Sequence, residues 1–303
     1  MMETWLPEGF CDPTIVHETN SLVYDAKLEA TKAPSTTQLY SLFLPSALPS
    51  GETVTFKNSS FFRRNGPTSM LPSPSDILAE AYRRGVVKKI NPPPVHYPSL
   101  GLTVKYGYRV SSSEGQCLWA FKRLPGNVVP VPEVYGWTTQ AGFTFIYMEL
   151  ISGETLSDRW DSLSGSDKRD ICGQLRAIVT HIRNIPQPYG DKFIGTICRQ
   201  PLLDLTFTSS GSPPVGPFTN VTAFHDLLTR LPHPENHDPS DPPHPFRKNL
   251  PDDVPIVFTH GDLHRSNVII SSRSEGGSPR VLSLIDWGQS GWYPSYWEFC
   301  KAR

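Results

Sequence analysis

The stretch from Ile256 to Trp292 limits most what this chain can fold into. It reads I-V-F-T-H-G-D-L-H-R-S-N-V-I-I, then a polar glycine-bearing turn, then V-L-S-L-I-D-W-G-Q-S-G-W. Val268 to Ile270 and Val281 to Ile285 are β-branched and leucine-rich, and Gly276 and Gly277 between them supply a turn, so the pattern predicts a hairpin. Asp262 and Asn267 precede the first strand and Asp286 follows the second, so the hairpin returns all three to its open end. Two carboxylates and an amide suit a hard divalent cation, because Mg²⁺ takes oxygen ligands and keeps waters and substrate phosphates beside one or two carboxylates. With Asn267 and Asp286 on the metal, Asp262 is left to orient or deprotonate a hydroxyl nucleophile, the division of labour of ATP-dependent phosphoryl transfer. An Asx-rich turn capping a hairpin would explain any one of these residues, but not why His260, Asp262, His264, Asn267 and Asp286 occur together. Zinc on His260 and His264 would need a helix to align them, whereas Gly261 and the following apolar run favour a loop entering a strand.

H-G-D-L-H-R-S-N followed one hairpin later by I-D-W-G resembles the catalytic segment of the aminoglycoside phosphotransferase and choline kinase superfamily, in particular its fungal phosphotransferase-family members. The resemblance implies a two-lobed, protein-kinase-like α+β fold, with a small antiparallel-sheet N-lobe and a mainly helical C-lobe. It implies Asp262 as catalytic base, His260 and His264 as supports of the loop, Asn267 and Asp286 as Mg²⁺ ligands, ATP as cofactor and a small-molecule hydroxyl as acceptor. It extends over residues 60–303 and is most specific at 256–298. V-K-Y-G followed by V-S-S-S-E resembles the strand lysine and helix glutamate that position the α and β phosphates, here Lys105 and Glu114. Y-M-E-L-I-S-G-E-T-L resembles the interlobe linker, which would set backbone groups of Met148, Glu149 and Leu150 against the adenine. Read from the residues alone, Lys105 could be an edge-strand charge, and Glu114 the third residue of a capping box begun by Ser111.

In chain order, residues 1–66 form a partly irregular extension, with Thr37 to Phe43 as a possible helix and Glu52 to Lys57 as a possible strand. Its cluster of Lys57, Phe61, Phe62, Arg63 and Arg64 reads as packing against the body of the protein rather than as a nucleic-acid contact, because the patch is short. Residues 67–150 make the N-lobe. It starts with a helix capped by Ser73, with Pro74 in the first turn and Asp76 three beyond the cap, and continues with a strand at Val86 to Ile90. Asn91 to Pro98, with four prolines, then falls where a glycine-bearing loop would cover the phosphates, and proline has no amide to offer them. Residues 151–303 make the C-lobe. Ser166 to Ile185 is an amphipathic helix with Ile171, Leu175, Ile178, Val179, Ile182 and Ile185 on one stripe. Residues 186–255 are proline-rich and irregular around one helix near Val221 to Leu231, and His233, His237 and His244 in them read as solvent-facing. The sequence stops at Arg303, where the resembled family continues into further helices, so the large lobe looks truncated. Trp292, Tyr293, Tyr296, Trp297 and Phe299 then need cover from the N-terminal extension, a partner or self-association.

At 303 residues the chain is of the size at which two lobes become common, and a single small module is excluded. A formal charge of -1 gives no global field toward nucleic acid or an anionic membrane. Five scattered cysteines, Cys11, Cys117, Cys172, Cys198 and Cys300, without CxxC spacing read as reduced thiols. With no leader-like N-terminus and no apolar run long enough to span a bilayer, a cytoplasmic location is expected. Two further readings remain beside a small-molecule kinase: a protein Ser/Thr kinase, weakened by the absence of an A-P-E segment after Asp286, and a catalytically inactive kinase-like binding or scaffold protein.

Overall fold

The computed structural model describes residues 41–86, 92–187, 190, 192–208, 212–231, 242–272 and 277–302. Its first layer is a five-stranded antiparallel sheet built on one hairpin. Strand β4 (Val134–Gln140) turns at Ala141 and Gly142, both at positive φ (51° and 79°), into β5 (Phe143–Glu149). That is the backbone handedness a tight hairpin requires. Strand β3 (Leu102–Gly107) pairs with the other side of β5, β2 (Val95–Tyr97) lies at the edge beyond it, and β1 (Thr53–Thr55) closes the opposite edge on β4. Only a glycine at 136 allows that last pairing, because a Cβ there would stand 2.4 Å from the Val54 carbonyl oxygen.

The expected strand near Glu52 to Lys57 is therefore a member of the N-lobe sheet, and the lobe begins well before residue 67. Helix α1 (Ser60–Asn65) follows it with Phe61 and Phe62 buried, the Phe61 ring 5.5 Å from that of Tyr135 and Arg64 donating to the Tyr135 hydroxyl at 2.8 Å. The basic-aromatic cluster thus packs against the sheet. Helix α2 (Pro74–Arg83) has the expected capping box, Ser73 with Asp76. Of the strand expected at Val86 to Ile90, residues 87–90 lie outside the described residues, as does Asn91. The phosphate-loop expectation for Asn91 to Pro98 is corrected in part, since Val95–Tyr97 is strand and Pro98–Leu100 a 3-10 turn; Pro92 to Pro94 remain irregular.

Helix α3 (Ser112–Phe121) crosses the sheet with Gly115 against Trp137, where an added Cβ would meet the indole at 2.8 Å. Past Glu149, the chain forms β6 (Glu154–Thr155) and the short α4 (Leu156–Arg159), then α5 (Gly165–Arg183). Helix α5 is capped by Ser164 with Asp167 and buries Ile171, Leu175, Ile178, Val179 and Ile182, the stripe seen in the sequence. Next come α6 (Leu205–Thr208) and α7 (Val221–Arg230), and then β7 (Ile256–Thr259), β8 (Val268–Ile270), β9 (Val281–Leu284), β10 (Gly291–Pro294) and α8 (Trp297–Lys301). The hairpin β8–β9 forms as expected, with β6 on the far side of β8, and β10 pairs with β7.

The aromatic end of the chain is covered in part by residues of the same lobe, with Tyr296 and Phe299 half-buried, and Phe43 of the N-terminal extension belongs to the same core cluster as Trp292. Trp292, Tyr293 and Trp297 are buried. Ile194, Leu202, Phe207 and Phe224 of the proline-rich interval pack on Tyr293 and Trp297, while Trp292 lies 5.0 Å ring to ring from Phe258. That interval is held by isolated bridges, Ile194 to Phe218 and Leu202 to Val215, and tied to β10 by Gly195 to Trp292. His233 and His237 lie outside the described residues, and His244 is half-buried. The expectation of five reduced thiols fails at Cys172, which is disulfide-bonded; among the described residues Cys117, Cys198 and Cys300 are free. Among the described residues no helix is long and apolar enough to cross a membrane.

Candidate functional site

The hairpin fixes the open end of the site through its own backbone. The amide of Ile285 donates to the carbonyl of Asn267 at 2.9 Å, so the residues flanking the two strands stay side by side. Asp286 then takes a left-handed conformation (φ 64°, ψ 63°), a state that Asp tolerates better than most residues and that turns its carboxylate out of strand direction. Upstream, Gly261 (φ 79°) carries the loop past Gln289, where a Cβ would approach the Gln289 carbonyl oxygen at 2.6 Å. Its neighbour His260 is fully buried, bonds the Ile285 carbonyl through Nε2 at 3.1 Å and receives the Asp262 amide on Nδ1 at 3.3 Å. A ring between a carbonyl and an amide is neutral, and burial pushes its pKa down to about 4. His260 therefore joins the loop to the hairpin and positions Asp262.

Asp262 is half-buried, and burial raises its pKa, with the nearby Asp286 charge acting in the same direction. Asn267 donates to the Asp262 carbonyl at 2.8 Å and to its carboxylate at 3.3 Å, which leaves the amide oxygen of Asn267 free of any donor shown among the described residues. His264 stands at the solvent edge with Nε2 3.7 Å from Asp262 and 3.3 Å from Asn267 Nδ2, beside the pair rather than beneath the loop.

From the sheet side, Lys105 enters the same space. Its ammonium donates to both oxygens of Glu114, at 2.9 and 2.7 Å, and to Asp286 at 2.6 Å. The two structural alternatives fall with this contact. Strand β3 lies inside the sheet, and Ser111 caps α3 by accepting the Ser113 amide while the Glu114 side chain turns to Lys105. Burial penalises the charge on Lys105, but Glu114 and Asp286 more than offset it and hold the ammonium protonated above its usual range. Burial likewise pushes Asp286 up, and Lys105 returns it to below the ordinary carboxylate value. Gly288 seals the triad, since a Cβ there would lie 3.3 Å from Glu114 and 3.5 Å from Lys105.

At the linker, two backbone amides are engaged within the N-lobe. The amide of Glu149 donates to the Glu133 carbonyl at 2.8 Å and that of Leu150 to the Gly101 carbonyl at 3.1 Å. Neither of these two N–H groups is free to meet a base. The Glu149 carboxylate also turns back, accepting from the Glu133 amide at 3.0 Å.

Sequence reasoning missed a second support of the loop. Glu298 on α8 accepts the amides of His260 at 2.7 Å and Gly261 at 3.4 Å, and also that of Leu263, while its other oxygen is buried without a partner. Burial raises this acid to about 7. Asp204, fully buried, holds the same helix by accepting from Trp297 Nε1 and from Lys301, each at 2.9 Å; Lys301 also reaches Gln289 at 3.1 Å. Nothing in the spacing of Asp204 and Glu298 signals these bonds, because their partners are backbone amides and residues more than thirty positions away.

As to a metal, the donors fit magnesium better than zinc. Among the described residues no group of three or more His, Cys, Asp or Glu converges to hold one ion. What the site has is the free amide oxygen of Asn267 and the carboxylate of Asp286, two hard oxygens for an ion that fills its other positions with water or phosphate.

With that geometry, the model of a family described as "Phosphotransferase enzyme family" matches residues 113–302. The chain belongs to this family. The match takes in Glu114, the linker, the catalytic loop, the hairpin and Glu298, and it begins after Lys105. No curated protein matches the chain. Among solved structures, an apo thermostable mutant of aminoglycoside phosphotransferase APH(4)-Ia aligns with 13% identity and a TM-score of 0.44, covering 65% of this chain and 62% of that one. A ternary complex of the same enzyme with ADP and hygromycin B gives 11% and 0.41, covering 66% and 63%. An aminoglycoside-3'-phosphotransferase of type VIII gives 16% and 0.40, covering 74% and 82%. The chain thus spans less than two thirds of the first of these proteins. The phosphotransferase-family assignment rests on the family match, and the kinase-like α+β architecture is that of the sheet, helix α3 and hairpin described above.

Proposed function

We propose that this chain transfers the γ-phosphoryl group of ATP, with Mg²⁺, to a hydroxyl of a small molecule. The observation that carries the reading is the meeting of Lys105, Glu114 and Asp286 within 2.9 Å at the open end of the hairpin that also carries Asp262 and Asn267. A cation fixed between two carboxylates, one buried and one exposed to the cleft, is poised to exchange the exposed one for phosphate oxygens. Asn267 and Asp286 would hold the metal, which when bound supplies positive charge against the phosphates. Asp262 takes the proton of the acceptor hydroxyl as its oxygen bonds to the γ-phosphorus, the bond to the bridging oxygen breaks and ADP departs with the electron pair. Its raised pKa makes it a better proton acceptor than an ordinary aspartate. His260 and Glu298 hold the loop from beneath and touch no reacting atom.

A second reading, a kinase-like binding protein with little turnover, is favoured by two observations. The irregular segment before β2 contains Pro92, Pro93 and Pro94, and the amides of Glu149 and Leu150 are already engaged. The Asp262→Asn variant separates the two. It is expected to keep the Mg²⁺-nucleotide affinity of the wild type and to lose ATP turnover, to acceptor or to water, by about a hundredfold or more. Equal turnover in both would remove Asp262 from the chemistry.

A further inference from the structure

Two free cysteines that the proposed reaction does not use lie close together beside α3. Cys117 stands on α3 about one turn beyond Glu114 and is fully buried, while Cys198 is half-buried in the 196–200 turn of the proline-rich interval. That turn is closed by the Thr196 amide on the Gln200 carbonyl at 2.9 Å. Gly195, just before it, exchanges both backbone bonds with Trp292, at 3.2 and 2.8 Å, which fixes the turn next to the segment that carries Ser290. Ser290 Oγ is 3.1 Å from Cys117 Sγ, and Thr196 Oγ1 is 3.4 Å from Cys198 Sγ. Cys198 packs against the core cluster to which Cys117 belongs, and it is near enough for its charge to act on the Cys117 thiol.

The two thiols differ in access and in protonation. A cavity of about 190 Å³ is lined by Cys198 together with Thr196, Gln200 and Ser113. Ser113 precedes Cys117 by four residues on α3 and so shares its face of the helix. A small oxidant in that cavity meets Cys198 and not Cys117, which is closed off behind it. The Ser290 hydroxyl donates to the Trp287 carbonyl at 2.7 Å, so in its contact with Cys117 the thiol is the donor. Burial holds that thiol protonated, well above its usual range. A protonated, enclosed thiol is a poor first target for an oxidant, whereas a neighbour with solvent access is a better one.

We propose that Cys198 is an oxidation site for hydrogen peroxide and that Cys117 resolves it as a disulfide joining α3 to the 196–200 turn. Peroxide transfers one oxygen to the Cys198 sulfur, its O–O bond breaks, and the product is a sulfenic acid and one water. Cys117 Sγ then attacks that sulfur, the S–O bond breaks, and the departing hydroxide takes the Cys117 proton as a second water. One peroxide is reduced to two waters while the two thiols lose two hydrogens. The bond closes a long loop, which stabilises the fold chiefly by restricting the unfolded chain, and it holds in place the helix that carries Glu114. Its effect on nucleotide release rests on the function proposed above; the oxidation site itself does not.

The test treats the whole chain with hydrogen peroxide, blocks the remaining thiols and maps unreduced peptides by mass spectrometry. A peptide pair joining Cys117 to Cys198 is expected in the wild type and not in Cys198→Ser. In Cys117→Ser the sulfenic acid should persist and be captured at Cys198 by dimedone. The oxidised wild type should melt about 5 °C above the reduced form, an effect that dithiothreitol reverses and that Cys198→Ser lacks. It should also release a non-hydrolysable ATP analogue more slowly by roughly threefold, because α3 is held against opening. Wild-type protein in which peroxide joins Cys117 to no Cys198 peptide would overturn the proposal, whatever the variants do. A bond that forms and leaves both melting and release unchanged would overturn its hold on α3. A bond that forms and raises the melting temperature in a protein that binds no nucleotide supports the oxidation site and tells against the phosphotransferase reading instead.

Discussion

At the scale of residues, two buried acids and bases beneath the catalytic loop give opposite responses to pH. His260 has a folded pKa of about 4 against an ordinary 6.5, so the unfolded chain binds its proton first; the stability it contributes is present above 6.5 and is lost as pH falls toward 4. Glu298 is raised from 4.5 to about 7, so its contribution is full below 4.5 and is lost as pH rises through 7. Each is worth about 3 kcal/mol by linkage, and over the same window they largely cancel. His260→Gln should therefore give a protein whose urea stability declines from pH 4.5 to 7, and Glu298→Gln one whose stability rises over it. Parallel profiles in the two variants would contradict this account. Only half of this pair was legible in the sequence. His260 belongs to a motif with fixed spacing, whereas Glu298 acts through one oxygen on backbone amides, and an amide carries no residue identity for a pattern to display.

At the scale of elements, legibility follows the range of the cause. The hairpin β8–β9, the capped helix α2 and the apolar stripe of α5 are set by residues within a few positions of one another, and all formed where the turn, the cap and the periodicity put them. The pairing of β1 with β4 depends on a glycine more than eighty positions away, so the strand could be suggested but not its place in the sheet. The linker amides illustrate the same limit, because their engagement by Glu133 and Gly101 is a matter of register. Helix α3 offers a direct check on how register and packing position the site. Alanine at 115 would gain about 1 kcal/mol of helix propensity. Its Cβ would nevertheless stand 2.8 Å from the Trp137 ring, and overpacking of a rigid buried indole costs about 1–3 kcal/mol. Gly115→Ala is thus expected to lower stability and to weaken nucleotide binding, as Glu114 is displaced from Lys105. A variant that melts higher in a thermal scan with unchanged nucleotide affinity would show that α3 tolerates the shift.

At the scale of the molecule, the halves of the site belong to different layers that share one aromatic core. Phe121 at the end of α3 lies 4.6 Å from Trp287 and 5.3 Å from Phe258, ring to ring, so the helix that carries Glu114 rests on the residue next to Asp286. The aromatic residues after β9 complete the same body under cover of the proline-rich interval, whose lack of periodicity concealed that role. The central claim is that this body joins Lys105, Glu114 and Asp286 in order to bind a metal-nucleotide. Titration calorimetry with a non-hydrolysable ATP analogue, with and without Mg²⁺, on the wild type and Asp286→Ala, tests it most directly. The account predicts that the wild type binds the analogue more tightly with Mg²⁺, and that Asp286→Ala, still cooperatively folded, loses that Mg²⁺ dependence. Equal Mg²⁺-dependent affinity in both proteins would contradict it.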